Sequence, residues 1–118
     1  MGERRVAVVD GDPAVRDSLA TLIELNGHSV ATYSTGRAFL RDMDGKTVDC
    51  IICEADLPDT SGVDLYRTLS AAHPGTRFAL LVSRQQNGTV SSAKRAGIRD
   101  IFSKPLVHRQ LLRFVSGN

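Results

Sequence analysis

Three nearly continuous apolar runs, Val6–Asp10, Val48–Glu54 and Phe78–Ser83, constrain this chain more than any other feature. Each is too short for a core helix, and each runs into a polar residue. Strands with little polar alternation are covered on both faces, as central strands of a parallel sheet are. Helical patterns separate them. Pro13 suits the first turn of a helix, and Val15, Leu19, Leu22 and Ile23 recur at helical spacing before Asn26-Gly27. Ser29–Tyr33 reads as a second strand. Ser34 is placed to cap a helix over 35–43 with Phe39, Leu40 and Met43 on its inner side. Leu57–Gly62 reads as a loop and Val63–Ala72 as a helix stopped by His73-Pro74-Gly75. Gly88–Ala96 is a helix ended by Gly97, Asp100–Ser103 a fifth strand and Leu106–Val115 a last helix. Five βα units in a row predict one α/β domain over residues 1–118, doubly wound, with right-handed crossovers.

Charge and composition exclude several classes. Hydrophobic residues make up 42% and charged residues 24%, enough apolar surface for a core. The formal charge of +2 is spread along the chain, and the basic clusters are pairs such as Arg4-Arg5 and Lys94-Arg95. Phosphate-backbone binding needs a concentrated basic face, so direct nucleic-acid binding is not expected. No apolar run reaches membrane-spanning length and no signal-peptide core stands at the N-terminus, so the expected location is cytoplasmic. Cys50 and Cys53 fall on one strand, where residues three apart face opposite ways. They are expected to be core residues rather than metal ligands. His28, His73 and His108 are expected to be solvated.

Open parallel sheets bind ligands at the carboxyl ends of their strands. Here those ends carry Asp10-Gly11-Asp12, Glu54-Ala55-Asp56, Ser83-Arg84 and Lys104-Pro105. Acids, a hydroxyl and a lysine therefore converge on one edge.

That constellation resembles the response-regulator receiver family, over essentially the whole chain. The local matches are Val9-Asp10 with Arg16, Leu57-Pro58 with Ser61-Gly62, Ala96-Gly97, and Lys104-Pro105. The resemblance implies a flavodoxin-like (βα)5 fold with strand order 2-1-3-4-5, and a signalling module rather than an enzyme. In the family an aspartate at the end of strand 3 accepts a phosphoryl group from a histidine kinase, and magnesium held by strand 1 acids neutralises it. Asp10 falls on the first of those acids, Ser83 on the switch hydroxyl and Lys104 on the phosphate-binding lysine. Pro105 follows a peptide bond that is typically cis in the family. The partners implied are a histidine kinase or an output domain, met through the face of helix 4, strand 5 and helix 5. A homodimer is left open, as is an output domain beyond residue 118.

Four positions depart from the family pattern. Glu54 stands at the phosphoacceptor position, Gly11 at the second strand 1 acid, Arg84 where a small residue usually follows the hydroxyl, and Ile101 where an aromatic switch residue is expected. Glutamate places its oxygen one methylene further out, and an error of about 1 Å in an attacking atom costs roughly 100-fold. With Gly11 in place of a ligand, magnesium binding at Asp10 is expected to be weak or lost, and no other cofactor is implied. Asp12 is expected to cap helix 1, and Asp56 completes the acidic pocket. Two carboxylates ~4 Å apart repel by about 4 kcal/mol at an effective dielectric near 20. Lys104, with or without Arg84, is therefore expected to balance Asp10 and Glu54, and Lys104 to engage Glu54. The expected function is an atypical, phosphorylation-independent interaction or regulatory module. The alternatives are a conventional receiver using another acid of the pocket, and a haloacid-dehalogenase-like phosphohydrolase built on Asp10 and Asp12. The latter family needs an acidic pair after its lysine, and no Asp or Glu follows Lys104.

Overall fold

A computed structural model describes residues 2–43, 46–83 and 87–117. Five strands alternate with five helices: β1 Arg5–Val9, α1 Pro13–Leu25, β2 Ser29–Tyr33, α2 Gly36–Met43, β3 Cys50–Glu54, α3 Gly62–Ala72, β4 Arg77–Val82, α4 Asn87–Ala96, β5 Asp100–Ser103 and α5 His108–Ser116. The strands form one parallel sheet in the order β2-β1-β3-β4-β5. This is the flavodoxin-like arrangement that the βα alternation and the family resemblance predict.

The apolar runs are explained by two cores, one on each face. Val9, Ile51, Cys53 and Leu80 point to the side covered by Phe39 and Met43 of α2 and by Leu65 and Leu69 of α3. Val8, Cys50, Ile52 and Leu81 point to the other, against Leu19 and Ile23 of α1 and Leu111, Phe114 and Val115 of α5. Each buried aliphatic side chain contributes about 1.5–3 kcal/mol, so reversing any central strand residue to a polar one is costly. Cys50 and Cys53 lie in opposite cores as free thiols, as their spacing on a strand predicts. Burial pushes the Cys50 thiol up to about 11. Burial, helped by the Glu54 and Asp10 charges, raises the Cys53 thiol further still.

Several local expectations are corrected. Thr35, not Ser34, caps α2: its Oγ1 accepts the Ala38 N–H at 3.0 Å. Leu40 does not face inward with Phe39 and Met43 but is 37% exposed. The helix α5 begins at His108 rather than Leu106, with Val107 as its N-cap, and the Lys104-Pro105 peptide bond before it is cis. His108 is exposed, but His28 and His73 are half-buried. His28 is held, its Nδ1 accepting the Arg4 backbone N–H at 3.0 Å.

Candidate functional site

The β1–β3 register pairs Val9 with Cys53, so the residues that follow, Asp10 and Glu54, emerge side by side at the carboxyl edge. On the far side of β4, the Lys104 N–H donates to the Val82 carbonyl at 2.9 Å and fixes where the lysine leaves β5. Its ammonium then reaches back across β4 to lie 3.3 Å from Asp10 Oδ2 and 3.5 Å from Glu54 Oε2. Asp10 is fully buried, whereas the Glu54 side chain keeps 23% of its surface exposed. A buried carboxylate requires a partner. Lys104 is nearer to Asp10 than to Glu54, so the expected Lys104–Glu54 contact is present but shared.

The backbone occupies the remaining carboxylate oxygens. Asp10 Oδ1 accepts the Asp12 N–H at 2.9 Å, and Glu54 Oε1 accepts the Gly11 N–H at 3.0 Å. Arg16 anchors the start of α1, donating to the Asp10 carbonyl at 2.7 Å. Asp12 turns away from the cluster and caps α1, accepting the Ala14 N–H at 2.9 Å, as predicted for it. Asp56 is exposed on the loop after β3, where it bridges to Ser61. Ser83 follows β4 directly and is exposed. Arg84 lies outside the described residues. Ile101 is half-buried against the α2–α4 side, while its neighbour Phe102 points to the opposite side, 6.0 Å from the Phe114 ring. The aromatic of β5 therefore stands on the wrong face to replace Ile101.

Two further residues shape the site, Pro58 of the Leu57-Pro58 match and Asp59, which the sequence reading does not place at it. Pro58 walls the pocket: a Cβ on Gly11 would meet its Cγ and Cδ at 3.4 Å and Glu54 Oε1 at 3.6 Å. Asp59 ties the same loop to α2, accepting the Gly36 and Arg37 N–H groups at 2.9 Å each. Those bonds hold the Asp59 carboxyl below its usual range. The Pro-Asp turn signal was present in the sequence, but its target is 22 residues away in the chain.

Residues 6–116 match the model of the response regulator receiver domain. The chain belongs to this family. The receiver is 28% identical over 107 residues to the response regulator protein TodT of Pseudomonas putida, covering 91% of this chain and 47% of that protein. It is 34% identical over 104 residues to the transcriptional regulatory protein FixJ of Azorhizobium caulinodans, covering 85% of this chain and 47% of FixJ. The chain thus spans about half the length of these curated relatives. Among solved structures, the CheY-like receiver domain protein of Methanospirillum hungatei superposes with a TM-score of 0.90 at 22% identity, covering 98% of this chain and 93% of that one. The BeF3-activated DrrB receiver domain superposes at 0.86 with 28% identity, covering 98% and 96%. Receiver domains are signalling modules of two-component systems that work with kinases and output domains. Among the described residues, no helix of this receiver is long and apolar enough to cross a membrane.

Proposed function

We propose that this receiver is an atypical one, acting as a phosphorylation-independent protein-interaction or regulatory module. The observation that carries this reading is the engagement of both Glu54 oxygens, one by the Gly11 N–H and one by the Lys104 ammonium. An in-line attack needs a carboxylate oxygen placed to a fraction of an ångström, and these bonds hold the longer glutamate in a different position. Here the lysine that would stabilise an incoming phosphoryl group is already spent on two acids.

The residues present do not fit magnesium either. The ion demands near-octahedral oxygen ligation. Gly11 supplies no side-chain oxygen, Asp12 is committed to α1, and the Asp10 and Glu54 oxygens already accept N–H or ammonium donors. Among the described residues, no group of three or more His, Cys, Asp or Glu side chains is arranged to hold a metal. Ile101 in place of an aromatic also removes the usual means of reporting on the pocket. The partners of this reading are a histidine kinase or an output domain on the α4–β5–α5 face, in the cytoplasm, with no direct contact to nucleic acid.

The decisive experiment is incubation with acetyl phosphate and magnesium, followed by intact mass measurement. The expected result is an unchanged mass. A stoichiometric, acid-labile gain of one phosphoryl group would overturn the reading in favour of a conventional phosphoacceptor.

A further inference from the structure

Between α2 and α3 runs an open groove of about 800 Å³, on the flank of the molecule away from the α4–β5–α5 face. Met43, Leu65 and Leu69 form its apolar floor, and Leu40, 37% exposed, stands at its edge. Two arginines stand on the α2 wall and an acid on the α3 wall, while a second acid, Asp59, closes the end of the groove at the start of α2 beside Arg37. Arg37 and Arg41 project from successive turns of α2, and neither is in an ion pair among the described residues. Asp64 lies on the α3 wall, 65% exposed, with one oxygen given to Arg67 at 3.0 Å. A carboxylate has a second oxygen to offer.

We propose that this groove is a self-association surface, and that its occupant is a second copy of the chain. The argument is charge complementarity within one patch. A two-fold contact joins a surface to itself, and with the axis along the groove a residue on one wall meets the opposite wall of the other copy. Seating α2 of each copy in the groove of the other sets Arg37 and Arg41 against Asp64, twice, and covers both Leu40 side chains. A patch of a single sign would repel its own copy; this one attracts it. With only an eight-residue helix as the inserted element, the contact belongs to the small, transient class of interfaces. The groove also adjoins the pocket described above, because the loop after β3 reaches α2 through Asp59 and packs the Thr60 methyl against Gly36.

Sedimentation velocity of the 118-residue chain over about 10 µM to 1 mM tests the proposal. A monomer–dimer equilibrium is expected. Leu40→Asp, and Arg37→Glu combined with Arg41→Glu, should each weaken it by about 100-fold or more. Asp64→Arg alone should do the same, and mixing it with the double glutamate variant should restore a dimer that neither forms alone. NMR shifts on diluting the wild type should move at Arg37, Leu40 and Asp64, which tests the surface without any substitution. A wild type that stays monomeric throughout, or a dimer that survives these changes with shifts elsewhere, would overturn it.

Discussion

The Gly11 amide donates to Glu54 Oε1 at 3.0 Å, so two residues that each depart from the family pattern are in contact with one another. The missing side chain at Gly11 and the longer stem at Glu54 form one arrangement. The Cβ of an aspartate at position 11 would lie 3.6 Å from Glu54 Oε1 and 3.4 Å from Pro58, and its carboxylate would stand beside that of Glu54. Space exists, but the charge is wrong unless a cation arrives. Gly11→Asp in the presence of Glu54 is therefore expected to lower stability by about 1–2 kcal/mol in chelator. The pair Gly11→Asp with Glu54→Asp should bind magnesium well below millimolar, where the wild type does not. NMR titration at Asp10, Gly11 and Glu54 measures both, and wild-type saturation below about 1 mM would count against the rebuilt-pocket reading.

Removing Lys104 separates its two partners by their burial. Asp10 is fully buried and Glu54 is not, so the loss of the ammonium is felt mainly at Asp10. Lys104→Met should cost about 3 kcal/mol, the cost of leaving a buried charge unpaired. In double-mutant cycles by urea unfolding, the coupling of Lys104 to Asp10→Asn should reach about 2–3 kcal/mol, and that to Glu54→Gln about 1 kcal/mol. Coupling near zero at both positions would mean an eroded site rather than one held by its internal ion pairs.

Two glycines predict opposite signs. A Cβ on Gly62 would stand 2.6 Å from the Glu54 carbonyl oxygen and 2.6 Å from Leu80 Cδ1, and the carbonyl belongs to the strand that carries the site. Gly62→Ala is expected to destabilise by about 2–3 kcal/mol and to disturb the Glu54 backbone. Gly88, in the first turn of α4, has nothing within 4 Å of its Cβ position. Gly88→Ala should stabilise by about 0.5 kcal/mol, through the lost flexibility of the unfolded chain and a better helix former. Thermal unfolding of the two variants side by side checks both signs.

The sequence by itself determined the fold and three of the residues that meet at its carboxyl edge, whereas Asp12 and Asp56, also expected in the acidic pocket, face away from it or stand exposed on the loop. The central runs can satisfy their apolar surface only between two helical layers, and strand ends in a parallel sheet share one edge, so Asp10, Glu54 and Lys104 had to meet there. Asp12 as a helix cap was legible because capping is local: its acceptor and the Ala14 donor are two residues apart. What tertiary structure alone decided was how charges are shared across that edge. Lys104 divides between Asp10 and Glu54 because β4 sits between them and β5, a spacing no local pattern encodes. The Gly11–Glu54 bond joins residues 43 positions apart and depends on a side-chain rotamer meeting a backbone N–H. The outward turn of Leu40 and the capture of the α2 N-terminus by Asp59 have the same origin. Periodicity says which side of a helix is apolar. How far a neighbouring helix covers that side is decided by where the sheet sets the two helices down.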